Sequence, residues 1–296
     1  MKTLRTVSEL REELAPARRA GRRIGLVPTM GALHEGHLSL VRAAREECDL
    51  VVVSLFVNPA QFNEASDLER YPREEARDRA LAERAGADIL FAPSVEEVYP
   101  ASFSSSVEVL GVTERLEGEA RGAAHFRGVT TVVAKLFGMA QPDVAYFGQK
   151  DAQQVLVIRR LVEDLNLALE IRALPTVREP DGLAMSSRNA LLSPEERSRA
   201  LSLPGALNAA LALAQTGERS GAALAERARA TLIAAGAEPD YVALVDPGTL
   251  EPVEQLDGEA LLAIAARVGG VRLIDNALLA GARKPTEGKA LAACNA

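Results

Sequence analysis

Short apolar runs alternate with amphipathic stretches over the first 175 residues of the chain. Ile24–Val27, Leu50–Val57 (LVVVSLFV), Ile89–Phe91, Val144–Phe147 and Ala168–Ala173 predict strands. Leu50–Val57 is apolar almost throughout, which suits a strand covered on both faces. Between the runs, Leu38–Glu47, Glu74–Ala85, Val129–Met139 and Ala152–Asp164 carry helical spacing. Gly86 closes the second of these helices, and the third must end before Pro142. The alternation predicts an α/β architecture: a mostly parallel sheet with helices on both faces.

The pattern changes after Pro175. Residues 181–193, DGLAMSSRNALLS, form a polar, turn-rich loop. Ser193 as N-cap and Pro194 at the first helical position then open an Ala- and Leu-rich helical region reaching Ala235. Tyr241–Val245, Leu261–Val268 and Val271–Ile274 read as short strands separated by Gly and Asp. The expected division is a parallel-sheet domain over residues 1–176 and a smaller α+β domain over 177–296, with the MSSRN loop near the junction. The last 16 residues, GARKPTEGKALAACNA, read as a loose tail.

Composition narrows the class. A net charge of -7 and a pI near 5.3 argue against a general nucleic-acid coat. Cys48 and Cys294 are too far apart in sequence to suggest a metal cluster or a disulfide framework. No apolar run approaches membrane-spanning length, and the start MKTLRTVSELREEL lacks the apolar core of a secretory signal. The expectation is a reduced, soluble, cytoplasmic protein. Tryptophan is absent and aromatics are 4%, so the core must come mainly from Leu, Ala, Val and Ile.

Four stretches carry candidate chemistry. PTMGALHEGHLSL (28–40) places His34 and His37 where a strand hands over to a helix. A helix N-terminus there would offer N–H groups and a positive dipole end to a phosphate, with the two histidines adding hydrogen bonds or charge. Capping and loop packing would explain an isolated pair equally well. Met30 suits packing or backbone contact. FVNPAQF (56–62) sets Asn58 and Gln61 at the carboxyl edge of the sheet, where two amides can bind a hydroxy acid; a turn held by Asn58 and Pro59 is the bland alternative. YFGQKDAQQ (146–154) repeats the strand–glycine–helix form. Gly148 ends the strand, Lys150 suits developing charge on a phosphoryl group, Asp151 can cap or face a cation, and Gln154 lies one turn beyond Lys150. MSSRN (185–189) offers Ser186, Ser187 and Arg188 in a loop able to close over polyphosphate, or simply a solvated linker. His125 precedes another helix in HFRG. Asp78 sits on a charged helix where a solvated face is the default. Neither GxGxxG nor GxxxxGK[ST] occurs, which disfavours NAD-dependent and P-loop chemistry.

In this order, PTMGALHEGHLSL, FVNPAQF, DLERYPR with Asp78 after it, HFRG, YFGQKDAQQ and DGLAMSSRN closely resemble the pantoate–β-alanine ligase family. The first motif is similar to the HIGH motif of class I aminoacyl-tRNA synthetases. The likeness is strong over residues 1–200 and looser beyond. It implies a Rossmann-like nucleotide-binding domain followed by a smaller lid domain, and ATP-dependent joining of pantoate to β-alanine through pantoyl adenylate, with Mg²⁺. It also implies that His34, His37 and Lys150 bind phosphates and stabilise the transition state. Ser186, Ser187 and Arg188 close over the triphosphate. Met30, Gly148, Asp151, Val177 and Met185 contact the nucleotide or build its site. Asn58, Gln61, Gln154, Tyr71 and Arg121 belong to the substrate pocket, and Asp78 to a magnesium site. The resemblance further implies a homodimer, and no nucleic-acid or membrane partner. Three positions depart from the family pattern: Gln149 replaces the usual glutamate, Arg121–His125 holds one extra residue, and MSSRN lacks the lysines of the tRNA synthetases' KMSKS loop. The nearest alternatives are another HIGH-type nucleotidyltransferase and a non-catalytic nucleotide-binding protein.

Overall fold

Six parallel strands make the larger sheet. The computed structural model describes residues 1–62 and 65–281, the side chains of 65–67 excepted; the tail from residue 282, with Cys294, lies outside the described residues. The first part of the chain runs β1 (Lys2–Leu4), α1 (Val7–Arg19), β2 (Ile24–Thr29), α2 (Glu35–Glu47), β3 (Leu50–Leu55), α3 (Ala65–Arg70), α4 (Glu75–Ala85), β4 (Ile89–Phe91) and α5 (Val95–Val98). It continues with α6 (Glu117–Arg121), α7 (Ala123–Ala140), β5 (Val144–Gly148), α8 (Ala152–Asp164) and β6 (Glu170–Leu174).

The apolar strands are buried because helices cover both faces. Leu10 and Leu14 of α1, Val129 and Val133 of α7 and Ile158 of α8 pack on one face. Leu40 and Val41 of α2 and Ala82 of α4 pack on the other. Gly86, at φ +104, ends α4 as its position in the sequence predicts. From β2 the chain proceeds outward through β3 to β4, whereas β5 lies on the opposite side of β2. The topological switch therefore falls between β2 and β5, where an open α/β sheet forms its ligand crevice. The PTMG and FGQK turns flank it.

Helix α7 starts at Ala123, well before the expected Val129, because Gly128 and the polar pair His125 and Arg127 hide its periodicity. The short elements β1, α5 and α6 carry too few residues to show a period.

After β6 a hairpin forms, with Arg178 bridged to Ala184 and the Met185 N–H bonded to the Val177 carbonyl at 2.9 Å. A 3₁₀ turn covers Ser187–Leu191, followed by α9 (Pro194–Ala200), α10 (Ser202–Gln215) and α11 (Gly221–Ala234). Ser193 caps α9 in a capping box with Glu196. The second sheet is antiparallel, β7 (Glu238–Val245), β8 (Glu259–Val268) and β9 (Val271–Ala280) in that order. Leu262 and Ile264 of β8 pack with Leu203, Leu207, Leu224 and Leu232 from the helices. Leu261 and Ala263 join the core of the larger sheet, so β8 is covered on both faces.

Strand β9 continues past Ile274, where the apolar pattern stops. Asp275 and Asn276 lie inside it, only 2% and 7% exposed. Among the described residues no helix is long and apolar enough to cross a membrane.

Candidate active site

The turn after β2 is held in an unusual backbone form. Gly31 has φ +93 and Ala32 has φ +51, the left-handed region that costs a residue with a Cβ roughly 1 kcal/mol. A Cβ on Gly31 would be strained at that φ and would crowd Leu55 Cδ1 at 2.9 Å and Asp78 Oδ2 at 3.1 Å, so the position favours glycine. Asp78 stabilises the turn from α4: its Oδ2 accepts the Ala32 N–H and its Oδ1 the Leu33 N–H, both at 2.8 Å.

Immediately beyond, the two histidines cap α2. His34 Nδ1 accepts the Gly36 N–H at 3.2 Å, and His37 Nδ1 accepts the His34 N–H at 3.4 Å. The ring centroids are 4.1 Å apart. A nitrogen that accepts carries no proton, so each neutral ring bears its hydrogen on Nε2. Burial lowers the His34 pKa to about 4, with the nearby Lys150 charge adding to the effect. Burial, then His34 and Lys150, lowers His37 to about 3. At neutral pH both imidazoles are uncharged donors. This decides between the two contributions left open for the histidines and corrects the expectation of free N–H groups. The histidines bring hydrogen bonds and no positive charge, and the Gly36 and His37 N–H groups are consumed inside the turn by His34 Nδ1 and O.

The FVNPAQF turn after β3 docks on α7. Gly128 permits this: a Cβ there would lie 2.2 Å from the Ala60 carbonyl oxygen. His125 Nδ1 lies 2.8 Å from the Gln61 carbonyl oxygen. HFRG therefore works as a cradle for the amide turn. The buried Asn58 has a fixed orientation. Its Oδ1 accepts from the Ala60 N–H at 3.3 Å and the Tyr99 hydroxyl at 2.8 Å. Its Nδ2 donates to the Gly128 carbonyl at 3.1 Å and to Gln61 Oε1 at 3.0 Å. The Gln61 oxygen is thereby occupied, and its Nε2 lies 2.9 Å from Met30 Sδ as the end that can donate. Sequence reasoning missed Tyr99, which has no motif around it.

Opposite stands the turn after β5. Gly148 ends the strand, and Gln149–Asp151 form one 3₁₀ turn before α8. Lys150 is mostly buried, with Nζ 3.8 Å from Asp151 Oδ1. The adjacent glutamines of α8 differ in role. Gln153 is spent on the fold, donating to the Val112 and Arg115 carbonyls and accepting the Glu117 N–H. Gln154 is half-buried.

The hairpin and the MSSRN loop reach this crevice as well. Met185 Cβ lies 3.9 Å from the Cβ position of Gly36, beside the histidine turn. Tyr71 hydrogen-bonds Ser187; burial raises its phenol pKa, while that bond and the Arg188 charge work against the rise. Ser186 Oγ accepts the Arg188 N–H at 3.3 Å. The segment is tied down more firmly than a solvated linker. Asn189 Nδ2 donates to Glu179 at 2.6 Å and to the Ala184 carbonyl at 3.0 Å, and Arg197 bridges Glu179 and Asp181.

Two expected site residues have partners that the motifs do not name. Asp78, 1% exposed, is given to the Ala32 and Leu33 N–H groups, so it does not fit the expected magnesium role. It supports the histidine turn. Arg121 donates to Glu117 at 2.8 Å, a carboxylate that also takes two bonds from Arg272 and one from Tyr241. The Arg121 charge also acts on His125, the ring that meets the Gln61 carbonyl. Gly122, φ +81, stands in the break between α6 and α7.

Comparison with known proteins follows the same lines. The family model described as pantoate-β-alanine ligase matches residues 2–278. A pantothenate synthetase of Moorella thermoacetica is 56% identical over 281 residues, covering 94% of this chain and 99% of its own length. The crystal structure of the pantothenate synthetase of Thermus thermophilus superposes with TM-score 0.89 at 49% identity, covering 94% of this chain and 99% of that one. A pantoate-β-alanine ligase from Francisella tularensis, solved with β-γ ATP and β-alanine, gives TM-score 0.78 at 33% identity, covering 94% and 97%.

Proposed function

The chain belongs to the pantoate–β-alanine ligase family, and from that premise we propose how its residues divide the work of the reaction. It is a ligase that condenses pantoate with β-alanine, using ATP and forming pantoyl adenylate on the way. In the first step a pantoate carboxylate oxygen attacks the α-phosphorus and pyrophosphate leaves with the bonding electron pair. In the second the β-alanine amine attacks the acyl carbon, and AMP leaves as pantothenate forms.

The first step needs charge stabilisation and in-line placement more than a protein nucleophile. Lys150 supplies the positive charge for phosphate oxygens as they gain charge. His34 and His37 supply Nε2–H donors without adding charge. Ser186, Ser187 and Arg188 close over the triphosphate, while Met30, Gly148, Asp151, Val177 and Met185 bound the nucleotide. Gln61 offers its amide N–H to pantoate, and Gln154 lies across the crevice from it. Asn58 orients Gln61, and Tyr71 steadies Ser187. The observation that carries this reading is the convergence of the β2, β3 and β5 turns at one switch point.

Mg²⁺ enters this proposal as the partner of ATP, where it would neutralise phosphate oxygens. Asp151, the carboxylate beside Lys150, is a residue that could face the ion. Residues 177–296 act as the lid, joined to residues 1–176 at the hairpin. A homodimer rests on family resemblance, and a mass measurement in solution tests it. The experiment for the whole reading is pantoate-dependent ATP–pyrophosphate exchange without β-alanine. Exchange that requires pantoate, and falls when Lys150 is replaced by alanine, is expected. Exchange indifferent to Lys150 would reject its role.

A further inference from the structure

Two adjacent buried polar residues of β9 reach the phosphate-facing parts of the site from the second sheet. Asn276 Nδ2 donates to the Gln149 carbonyl at 3.0 Å and to the Lys150 carbonyl at 2.9 Å. Asp275 accepts two bonds from Arg178, at 2.6 and 3.0 Å, and also the Asn276 N–H at 2.8 Å. Arg178 belongs to the hairpin that leads into Met185 and the serine loop. Both residues interrupt an apolar strand, where an unpaired polar group would be costly. The two carbonyls they serve need donors too, and β9 is the element that provides one.

We propose that Asn276 is a positioning residue for adenylation. It pins the two peptide carbonyls that flank the Lys150 Cα, fixing where the Lys150 ammonium stands relative to the triphosphate. Asp275, through Arg178, sets the hairpin in the same frame. The second sheet is then a jig that holds the cation and the closing loop at a common spacing. A displacement near 1 Å at such a group is enough to slow chemistry by about 100-fold. The inference rests on the reading of Lys150 given above.

The test is a double-mutant cycle on the full-length enzyme, read as pantoate-dependent ATP–pyrophosphate exchange at saturating MgATP and pantoate. Asn276→Ala is expected to lower the exchange rate about 10- to 100-fold. In a Lys150→Ala background the same change is expected to cost less than about twofold, because the group it positions is gone. Asn276→Leu keeps the branched side-chain shape but loses the two donors and buries no charge. It serves as the second variant should alanine impair folding, and is expected to repeat the pattern. Equal losses in both backgrounds would show a merely structural role and overturn the proposal, as would full activity of both Asn276 variants. If Lys150→Ala alone leaves exchange unchanged, the Lys150 reading fails first and this one with it.

Discussion

The turns after β2 and β5 flank the same crevice, but different parts of the chain hold them. In the first, His34 and His37 bond backbone N–H groups of their own turn, and Asp78 secures the loop just before them. In the second, the Gln149 and Lys150 carbonyls are held by Asn276, 127 and 126 residues away in sequence. The histidine turn takes its geometry from its own residues and from α4 of the same domain. The lysine turn takes its geometry from the second sheet.

Breaking each side of that contrast should give effects of different size and kind. The largest is expected for Lys150→Ala, a fall in adenylation of roughly 100- to 1000-fold, with thermal midpoint nearly unchanged. A large drop in midpoint would mean that Lys150 is structural.

Next comes Asp78→Asn, which sets an amide NH₂ against one of two backbone N–H donors. It is expected to destabilise by about 2–4 kcal/mol, from one or two unsatisfied buried groups, and to lower activity as the left-handed turn relaxes. Denaturant unfolding together with a Mg²⁺ titration checks this. A stable variant with a raised Mg²⁺ requirement would return Asp78 to a metal role. Gly128→Ala should push the Ala60 carbonyl away and raise KM for pantoate about tenfold, in line with the cost of a misplaced binding group. An unchanged KM would show that the amide turn does not bind that substrate. The smallest effect is expected for Tyr99→Phe, because the Ala60 N–H still orients Asn58. A rise of about two- to fivefold in KM for pantoate with KM for ATP unchanged fits the loss of one hydrogen bond. Equal rises in both would mean a general loosening.

Acid should act through the histidines. Their pKa values are lowered in the fold, so on acidification the unfolded chain takes up protons that the native turn refuses. The stability they contribute is complete above pH about 6.5, and it is lost as pH falls toward about 4 for His34 and about 3 for His37. In a pH series of unfolding curves, His37→Gln is expected to lose less stability over that window than the parent. Parallel losses would contradict the assignment.

What could be read in the chain follows the same contrast. The strands Ile24–Val27, Leu50–Val57 and Ile89–Phe91, and helix Ala152–Asp164, were legible because apolar periodicity reports burial directly. His34, His37, Asn58, Gln61 and Lys150 were legible because each sits in a short motif at a strand end. The partners of Asp78 and Arg121, the Ala32 and Leu33 N–H groups and Glu117, were not legible, because they come from turns and pairings that periodicity does not encode. Strand β9 was cut short at Ile274 because Asp275 and Asn276 look like a turn until their partners are known. A polar pair inside an apolar run was the available signal, and it marked the tie between the sheets.

The central claim is that the phosphate site combines neutral histidine donors with charge from Lys150. The measurement closest to it is the long-range ¹H–¹⁵N spectrum of the imidazoles, with the 3 histidines assigned by single substitutions. At pH 7 the account predicts neutral Nε2–H tautomers for both His34 and His37. An imidazolium signal, or an Nδ1–H tautomer, at either position would contradict it.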